Sequence, residues 1–112
     1  MDIPTEQKGN VTVASISVKE LDAGNVGDFR RSLVPVLESS TRLVMDLTRL
    51  EFVDSSGLGA ILSCLRQLSA KGGDLKLCCM TSQVRSAFEL VRMHRIFDIF
   101  DTPGDAIAAF AG

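Results

Sequence analysis

The chain has 112 residues, 46% of them hydrophobic and 23% charged, a composition that suits one compact domain over residues 1–112 with a core of its own and no disulfide staples. A formal net charge of −2 argues against nucleic acid, where a basic stripe would be expected, and points to protein partners or small ligands. Three cysteines without C-x-x-C spacing read as reduced thiols, and no run of about 18 apolar residues and no basic or apolar leader is present, so the expected setting is cytoplasmic and away from the membrane.

Taken in chain order, Ile3 to Lys8 and Val11 to Val18 flank Gly9-Asn10 and predict a β-hairpin whose first strand, carrying Pro4, lies at a sheet edge. Val26, Phe29, Leu33 and Leu37 share one face of a first helix, which Pro35 should kink or end because it lacks an amide donor. Leu43 to Leu47 and Leu75 to Met80 are short and nearly all apolar, the pattern of central strands covered on both sides. Between them, Leu58, Ile61, Leu62, Leu65 and Leu68 form the stripe of a second helix that stops at Gly72-Gly73. A third helix follows Thr81-Ser82 with Val84, Ala87, Phe88 and Val91 turned inward. Phe97 to Phe100 reads as a further strand, and a fourth helix opens at Thr102-Pro103 with Ile107 and Phe110 inward.

Two strands followed by alternating helix and strand predict a layered α/β domain, a mixed sheet of about four to five strands with about four helices, the later strands parallel through crossover connections. Loops leaving the carboxyl ends of those strands would gather Asp22 to Asn25 and Asp54 to Gly57 on one rim.

Asp54-Ser55-Ser56-Gly57-Leu58-Gly59 stands where a buried strand gives way to the second helix. The first turn of a helix offers unpaired amides and the positive end of the macrodipole, so it tolerates added negative charge. Caps alone would account for Asp54, Ser55 and Ser56. Gly57 and Gly59 are harder to explain as caps, because each glycine in a helical turn costs up to about 1 kcal/mol against alanine. Two missing side chains beside two hydroxyls would leave low ground that another protein's active site could approach.

The run from Leu43-Val44-Met45-Asp46-Leu47 through Phe52-Val53-Asp54-Ser55-Ser56-Gly57-Leu58-Gly59 resembles the signature of the STAS domain, in particular the anti-sigma factor antagonists of bacterial partner-switching systems. The likeness covers most of the chain, including Glu20-Leu21-Asp22 and the Gly72-Gly73 turn, although Lys19 stands where the family often has glycine and Pro35 interrupts the first helix. The resemblance implies a binding module rather than an enzyme, with no cofactor or metal. Unphosphorylated, it would bind an anti-sigma factor that is itself a serine kinase and so free the sigma factor. Phosphorylation at Ser55, the serine directly after the aspartate, would break that contact, and a PP2C-like phosphatase would reset it. Asp22, Asp54, Ser56, Gly57, Leu58 and Gly59 are the residues expected at the partner-binding surface. A variant of the same reading has an output other than transcription, such as secretion or control of a signalling enzyme.

Three further patterns carry weaker chemistry. Cys79-Met80-Thr81-Ser82-Gln83-Val84-Arg85 matches the C-x5-R phosphate loop of cysteine phosphatases, but its intervening residues include no glycine to relax the turn. Asp22, Asp46 and Asp54 could be read as a magnesium cluster, against which stands the apolar strand around Asp46. His94, the single histidine, sits near a predicted helix end, where interaction with terminal carbonyls suits it better than a Ser-His-Asp relay.

Overall fold

The computed structural model describes residues 1–111. Among them the elements run β1 (Thr5–Lys8), β2 (Val11–Ser15), β3 (Glu20–Leu21), α1 (Val26–Ser39), β4 (Arg42–Asp46), β5 (Phe52–Val53), α2 (Ser55–Ala70), β6 (Asp74–Cys78), α3 (Ser82–Leu90), β7 (Asp98–Phe100) and α4 (Pro103–Ala111), with a 3-10 turn at Met93–Arg95. The main sheet has the order β1-β2-β4-β6-β7. Its first pair is the antiparallel hairpin, registered Lys8 to Val11 across Gly9-Asn10, and every later pairing is parallel. The expected mixed five-stranded sheet with four helices is therefore present. The hairpin's second strand stops at Ser15 rather than Val18, although Ile16 remains buried.

Strand alternation divides the apolar residues between two layers. Leu43, Met45, Leu75 and Leu77 join the larger core, where Phe29, Leu33 and Leu37 of α1 and Ile61 and Leu68 of α2 are buried with them. Phe88 and Phe97 meet edge to face in the same layer, ring centroids 5.9 Å apart. Val11, Val13, Val44 and Cys78 form a smaller cluster with Ala106 of α4, flanked by the partly buried Ile107 and Phe110. Lys76 borders that second layer: its ammonium lies 2.8 Å from Asp98, 3.2 Å from Asp74 and 4.8 Å from the centre of the Phe110 ring. Burial works against the charge on Lys76, but the carboxylates of Asp98 and Asp74 outweigh it and raise its pKa.

Three features depart from the expectations. A second, two-stranded parallel sheet pairs β3 with β5, Glu20 with Phe52 and Leu21 with Val53. Helix α1 runs through Pro35 to Ser39; the proline is exposed, and Lys71 Nζ donates to the carbonyls of Leu37 and Ser40 where the helix ends. Val91, expected to face inward, is 51% exposed. Helix α3 stops at Leu90 and Arg92 turns left-handed at φ 62°, which ends the helical period before Val91 can share the buried stripe of Val84 and Phe88.

Candidate functional site

Helix α2 begins where β5 ends, and Asp54 fills the hinge between them. Its backbone is extended, and its Oδ1 accepts the Gly57 amide at 2.9 Å, so the side chain caps the helix. Its Oδ2 accepts the Ala23 amide at 3.1 Å, and its own amide donates to the Leu21 carbonyl at 3.2 Å. One residue thus ties the first turn of α2 to the loop that follows β3. The Gly57 amide is the largest influence on its carboxyl; burial opposes it, and the Ala23 and Ser56 amides add to it, leaving the pKa below the usual carboxylate value.

Asp22 lies in that neighbouring loop. Its Oδ1 accepts the Gly24 amide at 2.9 Å, while its backbone amide donates to Asn25 Oδ1 at 2.9 Å. Asn25 Nδ2 in turn donates to the Glu20 carbonyl at 2.7 Å. Asn25 precedes α1 without capping it by its side chain, which is spent on holding the Asp22 turn. The structure therefore brings the loops of Asp22 and Asp54 together through Ala23. Asn25 is a supporting residue that the sequence reading did not single out; the Asp-Ala-Gly-Asn turn composition was its signal.

Within the D-S-S-G-L-G run the residues divide by exposure. Ser55, the first residue of α2, is exposed, Ser56 is half-buried and Gly59 is exposed with open space where a Cβ would stand. Gly57 and Leu58, expected at the contact surface, are both buried. Gly57 is buried, and a Cβ there would lie 2.6 Å from both the Leu21 carbonyl oxygen and Val53 Cγ2. Leu58 is 6% exposed and belongs to the larger core. Gly57 thus lets α2 approach the β3–β5 sheet closely, and Leu58 anchors the helix from beneath. The low ground open to a partner lies at Gly59 alone of the two glycines.

This arrangement is a shallow surface. A groove of about 600 Å³ is lined by Lys19, Glu20, Glu51, Phe52, Gln83 and Ser86 among others, none of them in the D-S-S-G-L-G run. The exposed hydroxyl sits on a fixed platform, outside that groove.

The STAS domain family matches residues 2–106 of the sequence. The chain belongs to the STAS domain family. This STAS domain is 27% identical over 100 residues to the anti-sigma-B factor antagonist of Bacillus subtilis, covering 88% of this chain and 92% of that protein. It is 32% identical over 65 residues to the anti-sigma F factor antagonist of Paenibacillus polymyxa, covering 58% of this chain. The chain spans 56% of that relative's length and 60% of the length of a Bordetella bronchiseptica relative described provisionally as an anti-sigma factor antagonist. Among solved structures it resembles the anti-sigma factor antagonist SpoIIAA in its unphosphorylated form, with a TM-score of 0.80, 25% identity and coverage of 99% of this chain and 97% of that one.

In the C-x5-R segment the Cys79 amide donates to the Phe100 carbonyl, the Val84 amide to Thr81 Oγ1 and the Arg85 amide to the Thr81 carbonyl. These three amides are spent on a strand end and the start of a helix. Asp54 gives both its oxygens to backbone amides, and Asp46 Oδ1 accepts from the amide and hydroxyl of Thr48. His94 lies in the 3-10 turn, its Nδ1 buried without a hydrogen-bond partner among the described residues. No helix of the described residues is long and apolar enough to cross a membrane.

Proposed function

We propose that this STAS domain is an anti-sigma factor antagonist whose docking surface is the rim around Ser55. The observation that carries the reading is the division of labour at the head of α2: Asp54 holds the helix and the Asp22 loop in place, which leaves the adjacent Ser55 exposed on a rigid support. The names of the Bacillus and Paenibacillus relatives support the same assignment. The partner would be an anti-sigma factor with serine kinase activity, released when Ser55 is phosphorylated and recovered when a PP2C-like phosphatase removes the group.

Phosphorylation would add about −1.5 to −2 charges and three acceptor oxygens at the amide-rich first turn of α2. The helix end tolerates the dianion, and the hydrogen bonds that build the platform do not involve the Ser55 side chain. Docking is then lost by a local change: a doubly charged group beside the ionised Asp54 carboxylate repels acidic partner groups and leaves charge unpaired when the two surfaces exclude water. Ser55→Ala should retain the kinase and accept no phosphate, and Ser55→Asp should bind it more weakly. A pull-down from native lysate with unphosphorylated protein, followed by ATP, tests the scheme. The expected outcome is a small kinase held by Ser55→Ala and shed from the unmodified chain as phosphate appears on Ser55. Phosphate mapped to Ser56 alone, or equal retention of phosphorylated and unphosphorylated protein, would refute it.

A further inference from the structure

Away from the Ser55 rim, the carboxyl ends of β4 and β6 bring together three groups that metals favour. Asp46 and Cys78 are register partners on adjacent parallel strands, so their side chains leave the sheet on the same side, toward the layer covered by α4. Cys79 would ordinarily point to the opposite side. Instead it adopts φ 66°, one of two non-glycine residues with positive φ among those described, and this left-handed turn folds its side chain back against the same layer. One oxygen of Asp46 and the sulfurs of Cys78 and Cys79 consequently lie within 4.8 Å of one another.

We propose that Cys78, Cys79 and Asp46 form a binding site for a thiophilic divalent cation of the zinc class. Two thiolates with one carboxylate suit zinc better than magnesium or calcium, which favour oxygen ligands, and a water molecule would complete a tetrahedral shell. With Zn–S bonds of about 2.3 Å, tetrahedral geometry needs the two sulfurs about 3.8 Å apart. Starting within 4.8 Å, small rotations of the side chains suffice. Two bonds from Thr48, its amide at 2.9 Å and its hydroxyl at 2.6 Å, hold Asp46 Oδ1 and orient the carboxylate. Asp46 and Cys79 are half-buried, and a cavity of about 250 Å³ lined by Ser15, Ile16, Asp46, Thr48 and Arg49 adjoins the carboxylate.

A bound dication replaces two thiol protons, which pass to solvent, and sets two positive charges against two thiolates and a carboxylate. Cys64, on α2, is buried in the other layer and takes no part.

Titration of the reduced, folded protein with Cd2+, followed by the cadmium–thiolate charge-transfer band in the ultraviolet, tests the site, with Zn2+ competition to displace it. One equivalent should saturate the band. Cys79→Ser and Asp46→Asn should each weaken binding by about tenfold or more, while Cys64→Ser leaves it unchanged. Circular dichroism on each variant confirms that it folds, and Cys79→Gly, which suits the left-handed backbone, supplies the same loss of ligand should the serine variant fail to fold. No saturable band, or a band as strong in any correctly folded Cys79 or Asp46 variant, would overturn the proposal.

Discussion

Replacing Gly57 by alanine tests how the site is built, because the added methyl has nowhere to go. Its Cβ would stand 2.6 Å from the Leu21 carbonyl oxygen and from Val53 Cγ2, and 3.1 Å from Leu21 Cγ. Side chains can rotate away, but the Leu21 carbonyl belongs to the β3–β5 pairing and accepts the Asp54 amide, so relief requires α2 and the small sheet to separate. Overpacking of this kind costs about 1–3 kcal/mol, against which alanine regains at most about 1 kcal/mol of helix propensity. With a backbone atom as the obstacle, the net loss should be about 1–2 kcal/mol; at a urea m-value of about 2 kcal/mol/M the midpoint falls by about 0.5–1 M. Gly59→Ala is the internal control: its Cβ meets nothing within 4 Å, so stability should rise by up to about 1 kcal/mol. Urea unfolding of the two variants beside the unmodified chain gives shifts of opposite sign. If Gly57→Ala is as stable as Gly59→Ala, the close approach of helix and sheet is not what fixes the glycine.

Further predictions concern the neighbouring helices and charges. Because the Asp54 pKa is depressed in the folded chain, its contribution is fully present above the unfolded carboxylate value and is lost as pH falls below about 4. Asp54→Asn keeps a capping oxygen but lacks this dependence, so unfolding curves of the two proteins should differ at neutral pH and converge in acid. Pro35→Ala restores an amide donor on the exposed side of α1 and should stabilise by about 1–3 kcal/mol in thermal or urea unfolding; no gain would mean that the helix has adapted fully to the proline. Arg92→Gly relieves an exposed left-handed residue just beyond α3 and should add about 0.5–1 kcal/mol, whereas a loss would show that the arginine side chain contributes more than its backbone strain costs.

The long elements were legible because their residues repeat. Leu58, Ile61 and Leu68 mark the buried side of α2, and the nearly unbroken apolar runs around Leu43 and Leu75 mark strands covered on two sides. Two-residue strands cannot show a period, which is why Glu20–Leu21 gave no signal and Phe52–Val53 was expected only as the end of a buried strand before Asp54, although their pairing positions the site. Asp54 could be recognised as a cap from its place before the helix, but its second bond to Ala23 spans 31 residues and depends on tertiary folding. Gly57 showed the limit of reading a residue type without its surroundings: the absent side chain suggested space for a partner and instead accommodates Leu21 and Val53. Cys79 carried no backbone signal, since left-handed geometry is expected of glycine or asparagine rather than cysteine.

The two sides of the sheet are covered unequally. One lies beneath α1 and α2, 14 and 16 residues long, while α4, with nine, is the helix packed over Val11, Val13 and Val44. Local opening should therefore begin at α4, and hydrogen exchange there should be faster than at the central strands, whose amides wait for global unfolding. A chain nicked within α4 would display an apolar strip along β2 and β4, so cleavage there should promote further proteolysis and self-association together.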